Sequence, residues 1–298
     1  MRPFTLPLTA GPSAADPAGA SAEAGGPLLG LTRLGVVGLL ALAVVNGLFL
    51  YLVPGRAEFD YAWSIKPPIN AAFFGAGYLA GTVATALVVF RARSWRSLRI
   101  LPLPLAVLSV TLLAATAIHE DRFFWDYAPT WIWTAVYVTV PLLVLGFWLV
   151  QERAAGPAPT ADPRLDALRA RSAVLGAVLS AGGLALFAAP VAMADVWPWP
   201  LTPLLARVVA GWYLLTGCAL VVAAVSLRRC HEVPIPYATL LTWSALLLAL
   251  PALHAGDLAD GRTAALVIWL VVQVALLALA ASALARILPV LRAREERL

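Results

Sequence analysis

Eight stretches of the chain stay apolar over about 17 to 24 residues without the alternation of a strand: 34–53, 71–90, 100–118, 131–150, 173–194, 204–227, 237–253 and 264–285. A bilayer core about 30 Å thick takes about 20 residues of helix, whereas a spanning strand is half that length and alternates in polarity. The pattern therefore predicts helices, because in lipid only helices and closed barrels satisfy every backbone group. The expected fold is an all-α polytopic membrane protein with eight transmembrane helices.

The intervening segments give the organisation. Residues 1–30 are rich in Pro, Ala and Gly without any period and read as a disordered tail. They do not read as a cleaved signal peptide, since the first apolar run starts late and is long enough to be an uncleaved span. Residues 151–172 read as a cytoplasmic linker, in which Asp162 before Pro163 has the form of a helix start. Residues 291–298 form a short cytoplasmic tail.

The two halves resemble each other. An offset of 134 superposes Trp63 on Trp197, Ala76-Gly77-Tyr78 on Ala210-Gly211-Trp212, Thr82 on Thr216 and Pro102 on Pro236. One further residue of shift matches Ala117-Ile118-His119 to Ala252-Leu253-His254, and another matches Ile132-Trp133 to Ile268-Trp269. The chain thus reads as two four-helix repeats, 31–150 and 173–290. Four is even, so both would enter the membrane in the same sense, related by an axis along the membrane normal.

Composition supports the membrane class: 61% of residues are hydrophobic and 12% charged, against about 25% charged in soluble domains. The net charge of +5 points to no nucleic acid once the charges are placed. With the N-terminus inside, sixteen of the 21 basic residues fall on the inner side and four (Arg56, Lys66, Arg122, Arg262) on the outer, with Arg207 inside a span. That bias puts both termini in the cytoplasm of a plasma-membrane protein. The outer side holds eight acids, so its sum is 4 − 8 = −4. An acidic outer surface concentrates cations, although short loops carry polar residues for solvation alone. Cys218 and Cys230 lie 12 positions apart on what reads as one helix, which excludes a disulfide between them.

Few residues carry chemistry. His119 and His254 stand at equivalent helix ends, and a two-fold axis could bring both imidazoles to one transition metal or haem iron, with Glu120, Asp121 and Asp257 orienting them. A histidine that bonds a loop is the plainer reading. Arg207 follows the proline-broken run Trp197-Pro198-Trp199-Pro200-Leu201-Thr202-Pro203, and an intramembrane charge is a functional hypothesis by default. Its expected partners are Asp195, Asp257 or Asp260, and the alternative is snorkelling to the outer interface. Asn70, after Pro67-Pro68, could cap a helix or donate to a ligand. Trp63, Trp125, Trp131, Trp133, Trp197 and Trp199 read as an outer aromatic belt. Gly75-Ala76-Gly77 with Gly81, and Gly176 with Gly182-Gly183, read as close helix approaches, and Asn46 and Gln273 as interhelical hydrogen-bonding groups.

No Ser-His-Asp order, P-loop or dinucleotide fingerprint appears, so hydrolase and ATPase readings have no support. Three readings stand. The first is a transporter or channel-like protein for a small solute or cation, with an acidic outer vestibule and no cofactor. The second is a redox protein holding haem or a transition metal on His119 and His254. The third is a scaffold or assembly subunit with a protein partner or a second copy, in keeping with how few polar residues lie within the spans.

Overall fold

The computed structural model describes residues 30–92 and 95–295. Of the tail expected over 1–30, all but Gly30, which opens the first helix, lies outside them, as do the last three residues of the C-terminal tail. Eight long helices and one short one follow in order: α1 (Gly30–Leu52), α2 (Pro68–Arg91), α3 (Pro102–Ile118), α4 (Ala128–Ala154), α5 (Asp166–Ala188), the short α6 (Pro190–Asp195), α7 (Pro203–Ser226), α8 (Pro234–Leu253) and α9 (Thr263–Glu295). Among the described residues the one β contact is an isolated bridge between Trp63 and Phe123.

Seven helices, all but α3 and α6, are long and apolar enough to cross a membrane, which makes the chain a multi-pass membrane protein. The stretch 100–118 yields only 17 helical residues, about 25 Å at helical rise. Its start is set by Pro102, which has no N–H to give and stands at the first helical position. Proline opens α2, α4, α6, α7 and α8 in the same way, within the first two positions. Three features differ most from the sequence expectation: α5 starts at Asp166, seven residues before 173 and within the stretch read as linker; the run 173–194 is broken at Ala189, before Pro190; and α9 continues ten residues past 285.

The helices pack in two rows, α1 on α2, α2 on α8 and α8 on α9 in one, and α5 on α7, α7 on α3 and α3 on α4 in the other, with α9 also touching α5. Between α5 and α7 the approach is close along the whole length. A Cβ on Gly176 would lie 2.9 Å from the Gly217 carbonyl oxygen, and Arg169 Nε donates to the Ala224 carbonyl at 2.8 Å near the other end. The α1–α2 contact is equally close only in one half. A Cβ on Gly75 would meet the Leu50–Tyr51 backbone, whereas one on Gly81 would find its nearest neighbour, the Cβ of Ala43, at 3.9 Å. Gly182 has open space beside it, so it serves no close approach.

The connections gather at two ends. At one, Phe124 N–H donates to the Ala62 carbonyl and Ala259 N–H to the Pro198 carbonyl, both at 3.0 Å, and Arg262 reaches the carbonyls of Ala194 and Trp197. At the other, Arg96 donates to the Pro157 carbonyl at 2.6 Å and Asp162 N–H to the Arg228 carbonyl at 2.9 Å. Here the expected helix start is present: Asp162 accepts from Arg164 N–H, and Pro163 opens the turn. The same arginine holds the Asp162 carboxyl down to about 2. Helix α7 ends at Ser226, so Cys230 stands beyond it rather than on the helix of Cys218, and both thiols are free.

Candidate functional site

Two places combine chemistry with geometry: the layer of loops at the first end, and a chamber within the bundle. In the loop layer the tryptophans are only partly a belt. Trp63, Trp133, Trp197 and Trp199 are buried, while Trp131 is exposed. Trp63 stands edge-on to Trp133 with centroids 4.7 Å apart, and Trp199 edge-on to Trp269 at 5.2 Å. Tyr61 and Trp197 flank these pairs at 5.2 and 5.5 Å. Buried aromatics in such edge-to-face contact tie loop to helix and are core, not interface anchors.

Asn70 lies in this layer, fully buried in the first turn of α2. It caps nothing. Its amide donates to the Pro200 carbonyl at 3.2 Å and its oxygen accepts from Trp199 Nε1 at 2.9 Å, which ties the two proline-broken segments together. The role expected of it falls instead to Asp257, whose carboxylate accepts from Ile69 N–H at 2.9 Å. Asp257 also faces His254 Nδ1 at 3.6 Å.

Arg207 does not meet any of the three expected aspartates. Its Nη1 stands 2.6 Å from His119 Nε2, at the end of α3, and its guanidinium lies 5.8 Å from the Phe187 ring centroid. An arginine is always protonated, so the imidazole must accept through Nε2 and carry its own proton on Nδ1. Burial and then the Arg207 charge lower the His119 pKa below its ordinary 6.5. The two histidines thus occupy matching helix ends, with similar backbone angles (φ −124°, ψ 35° and φ −128°, ψ 42°), but face partners of opposite charge. Among the described residues no group of three or more His, Cys, Asp or Glu is arranged to hold a metal.

The acids expected on the outer side are dispersed rather than convergent. Asp60 pairs with Arg56, Glu58 with Lys66 and Asp121 with Arg122, while Glu120 and Asp195 are exposed. Of the two lone amides, Gln273 reaches across helices to Tyr213 at 3.1 Å, but Asn46 bonds only the Leu42 carbonyl of its own helix.

The chamber has a volume of about 200 Å³ and lies where α1 and α2 diverge, walled by those two helices, α3, α4, α7 and α8. Gly77, Ala80, Gly81 and Ala84 form one wall and Ala219 and Ala223 another, with Leu39, Leu42, Leu105 and Leu108 between. Tyr78, Tyr137, Trp212, Tyr237 and Trp243 supply aromatic surface. No Asp, Glu, Lys, Arg or His lines it. Its hydroxyls are occupied: Ser109, Thr85, Thr216 and Thr239 donate to carbonyls one turn back, Tyr78 bonds Tyr137 at 2.5 Å, and Tyr237 bonds Ser172 at 2.6 Å. Such a space solvates hydrocarbon and repels ions. The sequence signal for it was the small-residue stripe on α2, which also marks close packing; only the divergence of α1 turns Gly81 from a contact into a wall.

Comparison with known protein families, curated proteins and solved structures finds no match to this chain.

Proposed function

We propose that this chain is a carrier-type membrane protein of two four-helix repeats that takes a small apolar molecule, or the apolar part of a larger one, from the hydrocarbon phase into the chamber. The observation that carries the reading is the chamber's lining: about 200 Å³ bounded mainly by carbon and by hydroxyls bonded within the protein, with no charged side chain, the partnerless indole N–H of Trp243 on one lining residue, and walls from both halves of the chain. An apolar cavity of about 150 Å³ suffices to bind benzene or xenon. A cation would find no carboxylate there, so the solute is lipophilic rather than ionic.

Equivalent contacts support the duplication. Tyr78 bonds Tyr137 as Tyr213 bonds Gln273, and the Phe124–Ala62 and Ala259–Pro198 backbone bonds correspond. These contacts favour an offset of 135 to 136, under which Tyr78 aligns with Tyr213 and Trp63 with Trp199 rather than with Trp212 and Trp197. The helix pairs also exchange under it, α1–α2 with α5–α7, α3–α4 with α8–α9, and α2–α8 with α7–α3. Helix α3 runs between the same two ends of the bundle as its neighbours and is the counterpart of α8, which supports eight crossings. The arginine-rich end faces the cytoplasm, by the distribution of basic residues, in the plasma membrane.

The test is heavy-atom quenching of tryptophan by bromobenzene, with the protein in lipid nanodiscs. Quenching is expected to saturate at one site per chain, to weaken in Trp212→Phe and Trp243→Phe, and to lose its saturable part in Ala219→Trp, which fills the chamber. Quenching that rises linearly and equally in all four proteins, as simple partition would give, would sink the proposal.

A further inference from the structure

Arg207 carries a charge that nothing in its surroundings neutralises. It is the fifth residue of α7, about 6 Å below the helix start at helical rise, which is the depth of the boundary between headgroups and acyl chains. Its neighbours are an uncharged imidazole and a phenyl ring, and among the described residues no carboxylate pairs with it. Its Nε is buried without a partner. The residue as a whole is half-buried, so its far side is open to a ligand. A guanidinium at this depth is expensive unless an anion shares the site, and the anion whose geometry matches its fork is a phosphate.

His119 adds to this geometry. Because Nε2 accepts from Arg207, the remaining ring proton sits on Nδ1 and points away from the guanidinium, so His119 fixes the position of the fork without donating beside it. Asp121 and Arg122 follow it in the next turn and pair with each other at 3.0 Å, which leaves the positive charge of Arg207 uncompensated. We propose that Arg207, positioned by His119, forms a site for a phosphodiester, supplied by the headgroup of a phospholipid in the leaflet at this end of the bundle.

The experiment is native mass spectrometry of the full chain released from detergent, titrated with dioleoyl phosphatidylglycerol, with dioleoylglycerol of the same chains, and with inorganic phosphate. The phospholipid is expected to be retained and the diacylglycerol lost. Arg207→Gln should lower phospholipid retention about ten-fold, the effect of a charged hydrogen-bonded pair, and His119→Gln by a smaller factor. Arg207→Lys, which keeps the charge but not the fork, should fall between, and it serves as the test should Arg207→Gln not fold. Equal retention of phospholipid and diacylglycerol, or unchanged retention in Arg207→Gln or Arg207→Lys, overturns the site. Displacement of the lipid by millimolar inorganic phosphate overturns the lipid assignment in favour of a soluble anion. None of these outcomes touches the chamber, whose test uses an uncharged probe.

Discussion

The first and second halves place similar residues at similar points and then bond them differently. Trp199 Nε1 donates to Asn70, while Trp63 Nε1 is buried with no partner; the position 135 residues after Asn70 is Leu205. His254 faces a carboxylate and His119 a guanidinium. Helix α5 stays against α7 from Gly183 through Gly176 to Arg169, while α1 holds close to α2 from Gly75 to Leu79, where a Cβ on Gly47 would lie 3.0 Å from the Leu79 backbone nitrogen, and draws back only from Gly81 onward, beside the chamber. On the proposed duplication, a common frame of aromatic and backbone contacts holds both halves, and the polar partners and helix spacing laid over it give each half its own chemistry.

The largest test of this contrast is in the aromatic frame. Trp199→Ala should destabilise the protein by about 3 to 5 kcal/mol in unfolding from mixed micelles, since it empties a fully buried site. A cost below about 1 kcal/mol would show that the loop layer does not hold the bundle. Next comes helix spacing. Gly217→Val, set against Ser180 and the Gly176 carbonyl, should cost about 1 to 3 kcal/mol by overpacking. Gly81→Val, facing the chamber, should be close to neutral in the same assay; equal costs at the two sites would erase the difference in spacing.

Smaller still is the tryptophan N–H. Trp199→Phe should cost about 1 kcal/mol more than Trp63→Phe, because only the first breaks a hydrogen bond and strands the Asn70 oxygen. The least effect is in pH dependence. Folding makes His119 harder to protonate, so the unfolded chain binds the extra proton first as pH falls through the ordinary histidine range near 6.5. The folded state, in which burial first and the Arg207 charge second favour the neutral imidazole, is therefore most stable at neutral pH and progressively less so below it. His119→Gln should flatten the stability profile between about pH 7 and 5, and an unchanged slope would count against the bond.

Much of the frame was legible in the sequence because it rests on periodicity and on proline. The apolar runs located all the long helices, Asp162-Pro163 marked a real start, and His119 and His254 each stand at the C-terminal end of a helix. What was not legible depends on distance between segments. Tryptophan near a span end has the same signature whether it anchors in headgroups or is buried under loops, so Trp63 and Trp199 were read as belt. Arg207 drew attention as a buried charge, yet its partner could be found only once α3 and α7 were known to lie side by side. The small residues of α2 were visible, but close contact and void differ only in where α1 goes.

The most direct test of the central claim is a bromine difference map from a structure of the protein solved in lipid after equilibration with bromobenzene. The account predicts one strong peak between Trp212, Tyr78 and Trp243, walled by Gly81 and Ala219. A chamber closed by side chains, with bromine found only on the lipid-facing surfaces of the helices, would contradict it.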